Sequence, residues 1–227
     1  MDQRLRGRRR FAAQLALRLM LWRWQAYQPV IVADRKIAAG RRGSEPRVQA
    51  VLQAAEELGA RTVVDLGCAE GYFVRRCAEQ GLLSIGVDGD ARRLAVAQLS
   101  TVIDGVDAVG FVKSSISVDS LLQLPSSDLV VCLSVLHHVM YESGLEYARD
   151  LLRSMRRMAR RGLVFEMGQS NELAFSWASN LPDMGVEPHD WIAELLASAG
   201  FISIRKVVEV ESLNSSVRRA VFVAEPE

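Results

Sequence analysis

A glycine turn and a carboxylate carry the spacing in this chain best suited to chemistry. The apolar residues Val63, Val64 and Leu66 give way to Gly67-Cys68-Ala69-Glu70-Gly71, and a second run, Ser84 to Val87, closes in Asp88, 21 residues after Gly67. An apolar run suits a buried strand, and glycines after it let the backbone bend sharply and approach a ligand with no Cβ in the way. In open parallel sheets ligands collect at the carboxyl ends of the strands, where an acid about 20 residues past such a turn can accept hydrogen bonds from ribose hydroxyls. A plain strand-to-helix turn would account for the glycines but leaves Asp88 unexplained.

The character of that ligand follows from two departures from a phosphate loop. A dinucleotide turn reads GxGxxG and brings a pyrophosphate to a helix amino end. Here Ala69 replaces the middle glycine and Glu70 stands where the phosphate would lie. A carboxylate repels a diphosphate, whereas beside the sulfonium and ammonium of S-adenosylmethionine it is harmless or helpful. With VVDLGCAEGYF as first motif and Asp88 as second-strand acid, the chain resembles the class I S-adenosylmethionine-dependent methyltransferases over roughly residues 47–226. The resemblance implies S-adenosylmethionine as cofactor and a Rossmann-like α/β fold, a mostly parallel seven-stranded sheet with an antiparallel last strand and helices on both faces. It also implies a cofactor set: Asp65, Gly67, Cys68, Ala69, Gly71, Tyr72 and Phe73 around the methionine part, Asp88 and Gly89 at the ribose, Ser115 and Ile116 beside the adenine, and Leu133 and Ser134.

Residues that could move a proton cluster at later strand ends. The chain has three histidines, and His137 and His138 stand side by side where the run DLVVCLSV ends. Histidine is the usual group for removing a proton from an attacking hydroxyl. One of the pair is expected to be structural at the start of the next helix, with His137 rather than His138 facing substrate. Glu166 closes the next apolar run, and a carboxylate there needs a partner, whether a histidine, a substrate hydroxyl or a cation. Polar Gln169, Ser170, Asn171 and Glu172 follow, suited to a polyhydroxylated ligand. Tyr141, Gln169, Asn171, Trp177 and Asp183 are the expected substrate contacts, with Trp177 offering a face for a sugar and Trp191 assigned to the core.

The run CLSVLHHVMYESGLEYARDLLRSM, then FEMGQSNE and LPDMGVEPHDWI, is similar to methyltransferases that modify mannose-containing polysaccharides, including those that cap O-antigen chains and those of methylmannose polysaccharide synthesis. That resemblance implies a saccharide or glycoconjugate hydroxyl as acceptor, and it assigns Tyr27 and Arg47 to closing the cofactor site. Some sugar methyltransferases bind magnesium, and the histidine pair with Glu166 allows that reading. Magnesium prefers oxygen ligands, to which adjacent histidines are poor substitutes, so a metal is not favoured.

The elements that must hold these residues alternate along the chain. Strands are expected at 62–67, 84–88, 109–113, 128–134, 162–167, 201–210 and 219–224, with helices near 71–80, 91–100, 144–160 and 188–199; such alternation implies a mostly parallel sheet. The last two strands lack a helix-length connection and should pair antiparallel. Upstream, a helix from Arg4 places Phe11, Leu15, Leu19 and Trp22 on one stripe. A short hairpin or loop follows, then a helix from Ser44 with Pro46 in its first turn. Residues 1–46 are thus expected to form a basic arm or lid on a methyltransferase domain at 47–227.

Charge is uneven. Residues 1–50 carry twelve Lys or Arg against three acids, a net +9, and the remainder a net −8. A basic arm can meet a membrane surface, a nucleic acid or the acidic body of its own fold; peripheral membrane contact and a homo-oligomer are both open. A nucleic-acid methyltransferase would use the arm as footprint, but the body is acidic and no Asn/Asp-Pro-Pro-aromatic motif is present, so no nucleic acid is expected. A different small-molecule acceptor and a noncatalytic cofactor-binding role are also compatible with these residues. Cys68, Cys77 and Cys132 form no CxxC, which fits reduced thiols in the cytoplasm.

Overall fold

The computed structural model describes residues 3–22, 24–40, 43–212 and 217–226; Arg23, Arg41 and Arg42 of the basic arm lie outside that set. The chain opens with helix α1 (Gln3–Trp22) and the antiparallel pair β1 (Val30–Val32) and β2 (Arg35–Ala38). Helix α2 (Glu45–Glu57) follows with Pro46 in its first turn, where a missing N–H costs no helical hydrogen bond. Then come β3 (Thr62–Leu66), α3 (Tyr72–Glu79), β4 (Leu83–Asp88), α4 (Ala91–Asp104), β5 (Val109–Lys113), the single turn α5 (Val118–Leu121), β6 (Ser127–Leu133), α6 (Leu136–Met158), β7 (Ala159–Glu166), α7 (Pro188–Ser198), β8 (Ser203–Glu211) and β9 (Arg218–Glu225).

These strands build one seven-stranded sheet of order β5-β4-β3-β6-β7-β9-β8. The first five pair in parallel, and β9 runs antiparallel to both its neighbours, as the missing crossover requires. Alternate side chains serve opposite faces. Val64, Val130, Cys132 and Phe165 pack toward α6 and α7, while Val63, Val131, Val164 and Val221 pack toward α2 and α3. Burial on both faces is why these strands read as nearly continuous apolar runs.

Three elements differ from their sequence expectation. Helix α6 starts at Leu136, not 144, and takes in both histidines; Gly144 interrupts it at φ 84° and ψ 171°, which is why only the later part shows clean helical periodicity. Its expected last residues belong instead to β7, where Ala159 pairs with Ser127. The turn α5 carries a reciprocal capping pair between Ser117 and Ser120, a signal too short for periodicity to catch.

The stripe on α1 also has a different role. Its buried side is Ala13 and Leu17, which with Met20 and Leu21 meets Val96, Leu99 and Ile103 of α4. At 100° per residue this side lies opposite Phe11 and Leu15, so the sequence stripe faces outward. Among the described residues no helix is long and apolar enough to cross a membrane.

Candidate active site

The turn after β3 adopts left-handed conformations at Gly67 (φ 81°), Ala69 (φ 47°) and Gly71 (φ 73°). The N–H groups of Gly67 and Cys68 both donate to the carbonyl of Val87, at 2.8 and 3.0 Å. A Cβ on Gly71 would lie 2.8 Å from the Phe111 ring and 2.9 Å from Ala97, so sterics as well as φ demand glycine there. Asp88 joins the two strand ends: Oδ2 accepts from Ala69 N–H and Oδ1 from Asp90 N–H, each at 2.8 Å. A cavity of about 300 Å³ opens here, lined by Tyr27, Gly67, Asp88, Arg93, Leu133, Ser134, Val135 and His138.

Below the turn, Asp65 is buried and its Oδ2 has no hydrogen-bond partner among the described residues. Burial first, and the charge of Asp88 second, push its carboxyl up to about 8. A buried acid with one oxygen lacking a donor, beneath a turn that lines a cavity, suits a ligand bearing positive charge. The residues present therefore fit S-adenosylmethionine better than a diphosphate.

Glu70 does not line the cavity. It is buried and accepts hydrogen bonds from the backbone N–H groups of Tyr27 at 2.9 Å and Gln28 at 2.8 Å. Gln28 in turn accepts from Tyr72 N–H at 2.9 Å. This pair of links fastens the segment after α1 to the glycine turn and puts Tyr27 in the cavity wall. The Arg93 guanidinium sits 5.3 Å from the Tyr27 ring centroid.

The floor beside the cavity is a charged cluster. Glu166 is wholly buried and is bound by Arg47, by Ser134 Oγ at 2.7 Å and by Arg219 at 3.2 Å. Arg219 also grips both oxygens of Glu172, at 2.7 and 2.8 Å, and Ser212 donates to Glu172 as well. Two guanidinium groups thus face two carboxylates, and the cluster is neutral. Burial alone would pull the Arg219 guanidinium down; its bonds to Glu172 and the charges of Glu166 and Glu172 reverse that and hold it above its ordinary value. Ser134 takes a left-handed φ of 62°, which a non-glycine residue keeps only when its surroundings fix it. Here its N–H donates to the Glu166 carbonyl at 2.8 Å.

The histidines, of which His137 was expected to face substrate, are placed differently. His137 is buried, its Nδ1 accepts from Gly168 N–H at 3.0 Å, and its ring lies 4.4 Å from that of Trp177. His138 is exposed and lines the cavity. The residue that reaches the pocket is therefore His138, because the first turn of α6 drives His137 inward against the chain leaving β7. Glu166, expected as a base, is ion-paired with two guanidinium groups and does not line the cavity.

Other expected residues scatter. Leu133, Ser134, Tyr27, Gly67 and Asp88 converge on the cavity. Tyr72 and Phe73 turn into the core beside α2, Tyr72 donating to Glu45 at 2.8 Å, and Cys68 and Ala69 are buried in the turn itself. Gly89 follows Asp88 on the surface, and Ser115 and Ile116 follow β5, with the Ser115 carbonyl accepting from Ser120 Oγ at 2.7 Å. Trp177 and Gln169, expected as substrate contacts, do not line the cavity. Trp177 is buried under Phe175 and Arg219, and Gln169 is buried with its side chain on the Arg218 carbonyl at 3.0 Å. Tyr141, Asn171 and Asp183 are exposed. Sequence reasoning missed Arg93, Val135, Arg219 and Gln28; an arginine inside the apolar run RRAVFVA was the one readable sign of Arg219. Among the described residues no three His, Cys, Asp or Glu side chains form a group that could hold a metal ion.

A mostly parallel α/β sheet with a cavity at its switch point defines a Rossmann-like fold. Residues 64–165 match the family profile described as a methyltransferase domain, and over that span the chain is similar to the class I, S-adenosylmethionine-dependent type. The O-antigen chain terminator bifunctional methyltransferase/kinase WbdD of Escherichia coli is 28% identical over 162 residues, 71% of this chain and 21% of that protein. The ubiquinone biosynthesis O-methyltransferase of Pectobacterium carotovorum subsp. carotovorum is 32% identical over 93 residues, 41% of this chain and 38% of that protein. The matches thus span well under half the length of these relatives. A crystal structure of WbdD has a TM-score of 0.78 at 22% identity, covering 92% of this chain and 46% of that one. The N-terminal domain of EvdMO1, solved with SAH bound, has a TM-score of 0.64 at 20% identity and covers 100% of this chain and 97% of that one.

Proposed function

We propose that this protein transfers a methyl group from S-adenosylmethionine to a hydroxyl of a saccharide or glycoconjugate, with mannose-containing oligosaccharides of polysaccharide biosynthesis as the first acceptors to test. S-adenosylmethionine supplies a methyl carbon activated by a positively charged sulfur. Gly67 and its neighbours, Asp65 and Asp88 would hold it, with Tyr27 and Arg93 closing the outer edge. An in-line displacement needs the nucleophile held close, stripped of its proton and kept from water. His138 is the group placed to take that proton, and its position in the cavity wall beside Ser134 is the observation that carries the reading. The neutral cluster of Glu166, Glu172, Arg47 and Arg219 acts as a rigid floor that orients Ser134 and the chain after β7.

Support for a sugar acceptor comes from the long match to WbdD and from exposed Asn171 and Asp183 in the segment after β7. A phenolic acceptor is the second reading, supported by the shorter match to ubiquinone O-methyltransferases. Incubation with labelled S-adenosylmethionine and a panel of manno-oligosaccharides, sugar phosphates and phenols, followed by mass spectrometry and NMR of the product, separates them. Label appearing on a sugar hydroxyl supports the first reading, label on a phenol the second, and label on none of them with cofactor bound refutes both.

A further inference from the structure

Helix α1 has apolar residues on two opposite sides, and one of them is buried. Ala13 and Leu17 are buried against α4, while Phe11, Leu15, Leu19 and Trp22 are 70%, 54%, 61% and 80% exposed. These four side chains form one continuous outward stripe over three turns. Arg8 and Arg18 are exposed on the same side, whereas Arg9 and Arg10 border the end of α4 with Asp104, and the helix contains no acidic residue. Singly exposed apolar side chains need no explanation, but a row of large ones set among cations does.

From this face we infer that α1 docks the protein on an anionic lipid bilayer, with Phe11, Leu15, Leu19 and Trp22 entering the interfacial layer and the arginines meeting lipid phosphates. The chemistry matches an interfacial helix, in which aromatic and leucine side chains are buried at the headgroup boundary and cations sit at its rim. A second copy of the chain is the poorer occupant. Two such faces laid together would set Arg8 and Arg18 against more arginines, with no carboxylate from either helix to answer them. The helix leads, five residues after Trp22, to Tyr27 in the wall of the cofactor cavity. Docking would therefore bring the site to the bilayer surface, where an amphiphilic acceptor is concentrated. The inference concerns the surface alone and does not depend on which hydroxyl is methylated.

Co-sedimentation of the full chain with vesicles tests it, using neutral phosphatidylcholine against phosphatidylcholine containing phosphatidylglycerol. Binding is expected on the anionic vesicles, weakened by high salt. The double substitution Phe11→Ser with Trp22→Ser should lower the partition coefficient by about 100-fold, and Arg8→Gln or Arg18→Gln by about fivefold each. Because these side chains are exposed, melting temperature and affinity for S-adenosylhomocysteine should stay unchanged and report an intact fold. Absent vesicle binding, or binding that the double variant retains, overturns the inference. A lipid-free dimer that the double variant splits would give the face to a second copy, and binding of single-stranded RNA at physiological salt that it abolishes would give the face to nucleic acid.

Discussion

The backbone N–H of Gly168 donates to Nδ1 of His137 at 3.0 Å, tying the first turn of α6 to the chain leaving β7. A neutral imidazole that accepts at Nδ1 carries its proton on Nε2. His137 is thereby held in one orientation, its ring 4.2 Å from that of His138. In the proposed reaction the proton goes to His138. Replacing His138 by Gln should lower kcat by about 10²- to 10⁴-fold while affinity for S-adenosylhomocysteine, read by calorimetry, changes little. Full turnover by the variant would remove His138 from the chemistry.

His137→Ala should behave differently. It leaves the Gly168 N–H without its acceptor and opens space beside Trp177, so stability should fall by about 2–4 kcal/mol. A loss of activity that follows melting temperature, rather than cofactor affinity or the pH profile, is the outcome expected of a positioning role.

The buried cluster makes a sharper statement about stability. Arg219 and Glu172 are fully buried and bonded at both carboxylate oxygens. Removing one partner leaves an uncompensated charge in the interior, so Arg219→Met or Glu172→Met alone should each destabilise by about 3–5 kcal/mol. The double variant Arg219→Met with Glu172→Met should be less destabilised than the sum of the two single changes. Urea denaturation of the four proteins closes the cycle, and additive effects would show that the pair is not coupled.

Much of this was legible in the sequence, and the limits have physical causes. The strand at Thr62–Leu66, its glycine turn and Asp88 were readable because strands buried on both faces must be apolar and the turn requires left-handed backbone at Gly67 and Gly71. The exposure of His138 and the burial of His137 were not. Two adjacent residues differ only by the 100° that a helix start assigns them, and that start is set by where β6 ends. Trp177 read as a sugar platform because aromatic residues in a polar loop commonly are; its burial depends on a close approach to Gly168, where a Cβ would lie 2.3 Å from the indole. The partners of Glu166 were invisible for another reason. Arg47 and Arg219 lie 119 and 53 residues away in the chain, so only the folded sheet brings them together.

Glu70 links the amino-terminal segment to the cofactor turn through the N–H groups of Tyr27 and Gln28. Hydrogen bonds to a charged acceptor contribute about 1.5–3 kcal/mol each. Glu70→Ala should loosen that segment, weaken binding of S-adenosylhomocysteine by roughly 10- to 100-fold and expose the 24–40 region to proteolysis. Unchanged affinity together with unchanged protease resistance would show that the segment is held without Glu70.

The pH dependence of stability should report Asp65. Its folded carboxyl titrates at about 8 against an ordinary 3.8. Between those values the folded protein keeps a proton that the unfolded chain has lost, so the stability of the ligand-free protein falls as pH rises, by roughly 1 kcal/mol per unit. The contribution is fully present below about pH 4 and is gone once pH has passed through about 8. Asp65→Asn keeps the shape without the titration, and its urea midpoint should vary less across pH 5–8 than that of the native chain. A cationic ligand seated on the Gly67 turn favours the charged carboxylate. Binding of S-adenosylmethionine near pH 7 should then release a proton, visible as a dependence of the calorimetric heat on the ionisation enthalpy of the buffer. The same heat in every buffer, with the native and Asp65→Asn proteins alike in their pH profiles, would mean that Asp65 does not titrate in this range.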